Sequence, residues 1–477
     1  MTATFYWHDY ETWGINPALD RPAQFAGLRT DMDLNPVGEP LVMYCQPAAD
    51  VLPDPQSCLI TGITPQQAQA EGVPEYEFIR RIHQELAQPG TCGVGYNSLR
   101  FDDEFTRFTL YRNFYDAYAR EWQNGNSRWD LIDAVRLAGA LRPEGLQWPM
   151  VDGVPSYRLE ALTAANGIEH AGAHDALVDV KATIALARKL KAAQPKLWQW
   201  VLDNRSKHAV GAMLEPAKAK PVLHVSSRFG SERYCMAMVL PLAWHVSNKN
   251  SVIVYDLSVD PEPLLSLRVE DIRTRVFTAR NELPDGVDRI PLKQVHINKA
   301  PVVVPTSLLD AQAQARTGID PEVCERHTQK LLLQAKAVAT KVREVFAHSD
   351  FAPITDPEAM LYSGGFFNDH DRRLMDDIRS MPAEQLAAQS FAFADERLET
   401  LLLRYRARNF PHTLSAEEQQ QWQHWCRARL NDPAAGGVRV ISQVREQLAE
   451  LRTRDKTNTA ILDALTQWVD ARAGVDA

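Results

Sequence analysis

Over the first 195 residues or so, short β-rich runs alternate with stretches whose apolar residues recur at helical spacing. Thr4-Phe5-Tyr6-Trp7 and Leu41-Val42-Met43-Tyr44 read as strands, and Cys92-Gly93-Val94-Gly95-Tyr96 as a glycine-bearing strand end. Helices are predicted over 76–86, 103–115, 129–140 and 175–190. Strands interleaved with helices predict a three-layer α/β domain. The pattern changes between about 200 and 310. Val222-Leu223-His224-Val225, Ala237-Met238-Val239-Leu240, Val252-Ile253-Val254-Tyr255 and Arg275-Val276-Phe277 predict short strands, and 293–304 a long extended run. Turn clusters such as Ser247-Asn248-Lys249-Asn250 separate them, as in a small barrel or sandwich. Beyond about 320 helix dominates. Ile441, Val444, Leu448 and Leu451 share one helical face, and Ile461, Leu465, Trp468 and Val469 form a second stripe, both predicting core packing. No internal repeat or low-complexity tail is visible.

A chain of 477 residues exceeds what one core usually supports, roughly 250–300, so several domains are expected. With 45% hydrophobic and 24% charged residues it has an ordinary globular composition. No run approaches the ~18 apolar residues of a membrane span, and the N-terminus lacks a basic region followed by an apolar core. A cytoplasmic, nucleoid-associated protein is therefore expected, with no membrane partner. Six cysteines, at 45, 58, 92, 235, 324 and 426, form no CxxC pair, which argues for reduced, buried thiols and against structural zinc. The net charge of −9 disfavours indiscriminate coating of duplex DNA but is compatible with a local channel for one strand.

Carboxylates change the picture most. In His8-Asp9-Tyr10-Glu11-Thr12, directly after a β-run, residues i and i+2 point to one face, so Asp9 and Glu11 aim at one point. Two such groups repel unless cations lie between them, which suits Mg²⁺ or Mn²⁺. By itself the pair is equally the mark of a solvated strand end. Asn97-Ser98-Leu99-Arg100-Phe101-Asp102-Asp103-Glu104 follows a strand and opens a helix, where acidic residues also serve the helix dipole. Phe101 is expected to pack inward and direct Asp102. In His174-Asp175-Ala176-Leu177-Val178-Asp179, five helical residues would rotate about 140°, so His174 and Asp179 cannot share a helical face. His174 is therefore expected in the loop, with Asp175 as N-cap and Asp179 on the helix.

D-x-E, then F-D after a strand, then H-x-x-x-x-D on a late helix resembles the DEDDh exonuclease superfamily over roughly the first 190 residues. Three residues separate Asn97 from Phe101 where shorter members have two, so Asp102 and Asp103 both come into question; Asp102, which follows Phe101, is preferred. Further passages are similar to the bacterial exonuclease I family. They are Pro17-Ala18-Leu19-Asp20-Arg21-Pro22-Ala23-Gln24-Phe25, Leu59-Ile60-Thr61-Gly62-Ile63-Thr64-Pro65, Tyr111-Arg112-Asn113-Phe114-Tyr115-Asp116, Asn126-Ser127-Arg128-Trp129-Asp130, Ala140-Leu141-Arg142-Pro143-Glu144-Gly145, His296-Ile297-Asn298-Lys299 and Tyr405-Arg406-Ala407-Arg408-Asn409-Phe410-Pro411. The resemblance implies an RNase H-like α/β exonuclease domain (1–195), an SH3-like β-barrel (196–345) and a helical C-terminal extension (346–477).

It also implies 3′-to-5′ degradation of single-stranded DNA to 5′-mononucleotides, in DNA repair and recombination. Asp9, Glu11, Asp102 and Asp179 would hold two Mg²⁺ ions, with Mn²⁺ an alternative, and His174 would take the proton of the attacking water, a task an imidazole suits near neutrality. The carboxylates alone imply only metal-assisted phosphodiester hydrolysis, so an exoribonuclease and a non-catalytic single-strand-binding scaffold remain alternatives. Holding a strand needs basic groups and exposed rings. Candidates are Arg107, Tyr118, Trp122 and Arg136, with Arg158 as a phosphate clamp, Lys207 and Lys293 from the barrel side, and Glu11 touching substrate. The family resembled docks the acidic, Phe-ending tail of single-stranded DNA-binding protein. Arg142 matches its basic residue, with Trp200 and Lys220 beside it, whereas Pro305 and Asp310 depart from the family pattern. A monomer is the expected state.

Overall fold

Along the first strand, Tyr6, His8 and Tyr10 point to one face and Trp7, Asp9 and Glu11 to the other, and this alternation decides where the chemistry faces. The computed structural model describes residues 3–172, 174–347, 353–454 and 458–473. Strand β1 (Thr4–Thr12) pairs antiparallel with β2 (Pro22–Thr30), placing Glu11 opposite Gln24. Strand β2 pairs antiparallel with β3 (Leu41–Tyr44), and β1 pairs parallel with β4 (Thr91–Gly95), giving the order β3-β2-β1-β4. Helices α1 (Pro55–Thr61), α2 (Pro65–Glu71), α3 (Glu75–Leu86) and α4 (Asp102–Arg112) follow in chain order. Phe78, Ile79, Ile82 and Leu86 of α3 and Leu110 of α4 bury Tyr6, Tyr10 and Phe25. The helices thus take the aromatic face of β1 and leave Asp9 and Glu11 on the opposite one.

The chain forms two compact units. The first comprises Met1–Ser127, His170–Lys181 and Pro353–Ala477. Both C-terminal stripes find their partner here. Ile441, Val444, Leu448, Leu451, Ile461, Leu465 and Val469 share one core with Trp13, Leu52, Cys58, Ile63 and Ala68. Trp468 is half-buried, with the Arg472 guanidinium stacked 3.6 Å from its ring centre. The same unit holds a buried charge cluster. Arg21 lies 3.3 Å from Asp50, 3.1 Å from Glu358 and 3.8 Å from Glu75. Arg112 pairs with Glu75 at 3.1 Å, and Arg408 pairs with Asp50 at 3.1 Å and also with Glu358.

The second unit comprises Arg128–Glu169 and Ala182–Ala352. Its five-stranded antiparallel sheet runs Leu292–His296, Ser251–Asp256, Met236–Trp244, Val222–Val225, Val303–Pro305. Val222, Val239, Val252, Val254, Val295 and Val303 build its core. Three local expectations are corrected. Arg275-Val276-Phe277 is not a strand but the end of helix Val269–Phe277. Ile272 and Val276 are buried at helical spacing and Glu270 and Asp271 occupy the first turn, which outweighs the β-propensity of a three-residue run. The extended run 293–304 is interrupted after His296 by a turn in which Lys299 N–H donates to the His296 carbonyl and Ala300 has φ 41°. The helix expected over 129–140 starts at Leu131. Trp129 and Asp130 end a strand, and the Asp130 carboxylate caps the helix by accepting from Ile132 N–H at 3.2 Å.

Five of the six cysteines are buried and all six are free thiols. Among the described residues, no helix is long and apolar enough to cross a membrane.

Candidate active site

Asp9 and Glu11 leave β1 on the face away from α3. Between them, Tyr10 N–H donates to Asp102 Oδ1 at 2.9 Å, so the backbone of the D-x-E strand itself aims the third carboxylate. Thr106 Oγ1 reinforces this by donating to the Asp102 carbonyl at 2.9 Å, and lies 3.0 Å from the Tyr10 hydroxyl. Phe101 is only half-buried, packed against Phe105 with ring centres 5.0 Å apart; the Tyr10 amide, not an inward Phe101, orients Asp102. The neighbouring Asp103 carboxylate instead meets Arg120 at 2.6 Å, with His8 at 3.9 Å.

Asp179 lies in the first turn of helix Ala176–Ala193. Ahead of it Asp175 caps the helix, accepting from Leu177 N–H at 3.1 Å and Val178 N–H at 3.2 Å. Gln24, across from Glu11 in the sheet, fastens this cap. Its amide donates to Asp175 Oδ2 at 3.3 Å and its carbonyl accepts from Ala176 N–H at 3.1 Å. His174 lies in the loop with φ 71°, a left-handed conformation that folds the loop back, and its N–H donates to Asp179 Oδ2 at 3.3 Å. Side-chain ligand atoms of Glu11, His174 and Asp179 lie within 4.8 Å of one another. Asp9 and Asp102 fall outside that tight trio but act on it through charge.

Burial, and then the charges of Asp102, Glu11, Asp179 and Asp175, push the Asp9 carboxyl well above the usual carboxylate range. Burial, followed by Asp179, Asp102 and Asp175, pushes Glu11 up to about 9. Carboxylates gathered so closely call for positive charge, and an oxygen-rich set of this kind suits a hard divalent cation, with the His174 imidazole beside it for proton transfer. The donor set therefore fits a metal.

Residues 6–187 match the family described as Exonuclease, residues 205–348 the Exonuclease I SH3-like domain, and residues 355–472 the Exonuclease I C-terminal domain. Over 471 residues the chain is 46% identical to exodeoxyribonuclease I of Escherichia coli strain K12, covering 98% of each. The chain belongs to the exodeoxyribonuclease I family. Its structure is similar to that of a moderately thermophilic exonuclease I from Methylocaldum szegediense, with TM-score 0.94 and 49% identity over 98% of this chain and 99% of that one. It is likewise similar to the zinc-bound form of the E. coli exonuclease I complex with single-stranded DNA, with TM-score 0.94 and 46% identity over 99% and 100% of the two chains. The fold class is that of the family: an RNase H-like exonuclease domain, an SH3-like domain and a helical C-terminal domain.

The strand-holding candidates divide by exposure. In the first unit Trp122 is 65% exposed, and Tyr118 is half-buried. Arg107 is buried, pairing with Glu121 at 2.7 Å and Glu104 at 3.1 Å, while the Tyr118 ring lies 5.3 Å from its guanidinium carbon. In the second unit Arg158 and Lys207 are exposed, whereas Arg136 is buried against Asp133 at 2.7 Å. Lys293 Nζ donates to His224 Nε2 at 2.6 Å and lies over Phe229. Arg142 pairs with Asp310 at 3.0 Å. Lys220 is exposed, and Trp200 lines a shallow surface depression with Arg205, Pro301 and Val303. Sequence reasoning missed Tyr362 and Phe366. The Tyr362 hydroxyl accepts from Arg107 at 2.9 Å and also contacts Glu104, and Phe366, 82% exposed, lies 6.0 Å from Tyr118. Their signal was the run Tyr362-Ser363-Gly364-Gly365-Phe366-Phe367, rings flanking a glycine pair. His170, which contacts Asp179, was also missed.

Proposed function

We propose that this chain removes 5′-mononucleotides from the 3′ end of single-stranded DNA by metal-assisted hydrolysis, with two Mg²⁺ ions per site and Mn²⁺ able to substitute. The observation that carries the reading is the approach of Glu11, His174 and Asp179 within 4.8 Å beside Asp9 and Asp102. Membership of a family whose relatives are named exodeoxyribonuclease supports DNA as substrate, and the similarity to a zinc-bound complex with single-stranded DNA supports both strand and metal.

Asp9, Glu11, Asp102 and Asp179 would hold the metal. Divalent cations bound there supply an activated water and stabilise charge on the leaving 3′ oxygen. His174 accepts the proton of the attacking water, its loop kept in place by the Gln24–Asp175 clamp and by its own N–H on Asp179. Glu11 is also proposed to border the substrate. Tyr10 holds Asp102 through its amide, which supports Asp102 rather than Asp103 in this role.

Trp122 offers an exposed ring for base stacking, Tyr118 with Tyr362 and Phe366 a second aromatic surface, and Arg107 acts by fixing that surface. Arg158, Lys207 and Lys293 are proposed phosphate contacts, and Arg136 a positioning group for Tyr157, whose ring lies 5.8 Å from its guanidinium carbon. The acidic tail of single-stranded DNA-binding protein is the proposed partner. Arg142 and Lys220 would meet its carboxylates, and the surface beside Trp200 its terminal ring. One chain carries the whole carboxylate set, which supports action as a monomer; the proposed place of action is the cytoplasm, at the nucleoid. The deciding experiment digests 5′-labelled and 3′-labelled single strands of DNA and RNA, with Mg²⁺ and with chelator. Mg²⁺-dependent loss of the 3′ label from DNA first is expected. Preference for RNA, or release in chelator, overturns the reading.

A further inference from the structure

Two histidines flank Asp179, and they do different things. His174 brings a ring nitrogen into the ligand-distance trio with Glu11 and Asp179. His170 stands outside that trio, yet its Nε2 contacts Asp179 Oδ1 directly. A carboxylate in contact with one imidazole nitrogen can only accept, so His170 Nε2 is the donor. Asp179 Oδ2 meanwhile accepts from His174 N–H at 3.3 Å. Both oxygens of this carboxylate are thus held from one loop, which Gly172 (φ 91°) and His174 (φ 71°) turn back on itself. The His170 side chain is only 6% exposed and that of Asp179 15%, so water competes little for the bond.

We infer that His170 is a positioning residue: it fixes the rotation of the Asp179 carboxylate so that its remaining lone pairs face the cation site. A carboxylate oxygen keeps a second lone pair when it accepts one hydrogen bond, so the contact orients Asp179 without consuming it. Donors behind metal ligands act in this way, and their loss typically weakens metal binding ~10–100-fold. His170 and His174 therefore divide the labour, the first setting metal affinity and the second the rate of chemistry.

This rests on Asp179 as a metal ligand, and the experiment separates the two claims. Mn²⁺ binding to the full-length protein is measured by calorimetry, without DNA, for the parent, His170→Gln, His170→Ala, His174→Ala and Asp179→Asn. The Mg²⁺ dependence of turnover is recorded alongside. His170→Ala is expected to bind Mn²⁺ ~10–100-fold more weakly and to need correspondingly more Mg²⁺, with kcat at saturating Mg²⁺ within about threefold of the parent. His170→Gln, whose amide can donate one N–H, should recover part of the affinity, and this variant carries the test if His170→Ala does not fold. His174→Ala should show the reverse: parent-like Mn²⁺ binding and low kcat. Parent-like Mn²⁺ affinity in folded His170→Gln and His170→Ala overturns the inference, as does a loss confined to kcat. Parent-like affinity in Asp179→Asn instead overturns the ligand assignment itself.

Discussion

Asp9 and Glu11 are removed from water among other carboxylates, and their carboxyls rise far above the ordinary range. Asp50, Glu75 and Glu358, in the same unit, are buried as well, yet their carboxyls are held low. Burial alone would raise all five. For Asp50 and Glu358 the charges of Arg408 and Arg21 outweigh it, and for Glu75 those of Arg112 and Arg21 do. One set is left for an external cation to balance, while the other carries its cations within the fold. The difference teaches where to look for function: not at buried carboxylates as such, but at those whose neighbours share their sign.

The largest expected effect breaks the first set. Asp179→Asn or Asp9→Asn should lower turnover by more than ~10²-fold, since even groups behind metal ligands are worth up to that factor. Far-UV circular dichroism and strand binding in chelator should stay at the parent level. Near-normal turnover in either variant would remove it from the ligand set. His174→Ala should lose ~10²–10⁴-fold, the usual worth of a general base.

Breaking the second set should affect folding and not chemistry. Glu358→Gln leaves Arg21 and Arg408 buried with one carboxylate fewer, and loss of one member of a buried ion pair costs about 3–5 kcal/mol. Denaturant unfolding should report that loss while the folded fraction keeps parent turnover. The pH dependence follows from the same pairs. Asp50, Glu75 and Glu358 are depressed in the folded protein, so between their folded values and about 4, their unfolded value, the unfolded chain binds more protons. Their contribution is complete above pH ~4 and is lost as pH falls through the folded values. A parent whose stability stayed flat to pH 3, or a variant that fell as steeply, would contradict this account.

Glu11→Gln sharpens the contrast because it should go the opposite way. Removing one of several repelling carboxylates should raise the stability of the metal-free protein by about 0.5–2 kcal/mol, the range of gains found where function has kept a strained site. Mg²⁺ should raise the melting temperature of the parent and have little effect on the variant. A Glu11→Gln variant less stable than the metal-free parent would mean that the carboxylate is already compensated.

Much of the first set was legible in the chain, because its geometry is local. Period two puts Asp9 with Glu11, and the rotation of a helix expels His174 into the loop before Asp179. The compensating arginines were not legible in this way. Arg21 meets Glu358 across 337 positions, and Arg107 reaches Tyr362 across 255. Sequence reports charge at Arg107 and Arg136 but not the carboxylate that already occupies each, so both read as strand contacts where the structure buries them in ion pairs. His170 escaped for a related reason: it stands nine positions before Asp179, and no periodicity links the two. The C-terminal stripes were visible as apolar faces, while their partners, Trp13, Leu52 and Cys58, lie at the other end of the chain. Arg275-Val276-Phe277 misled because three β-favouring residues are too few to reveal the helical spacing that starts at Val269.

Arg142 and Asp310 supply a third case, in which the pair is neither buried nor unmatched. They meet at 3.0 Å with side chains 36% and 53% exposed, so water and salt screen the contact and it can be exchanged for another. An acidic peptide approaching Arg142 must displace the Asp310 carboxylate. Asp310 also caps helix Ala311–Thr317 by accepting from Ala313 N–H at 2.9 Å, so the informative change is Asp310→Asn, which keeps a capping oxygen and drops the charge. The melting temperature should not move measurably. Affinity for a free acidic, Phe-ending peptide should rise a few-fold at low salt, and the gain should fade as salt is added. Arg142→Ala should weaken the same peptide, and combining it with Asp310→Asn should abolish the gain, since the two act through one contact. If Asp310→Asn binds the peptide no better than the parent at low salt, the ion pair is not what the peptide competes with. If it binds better even without Arg142, the charge of Asp310 acts on the peptide directly.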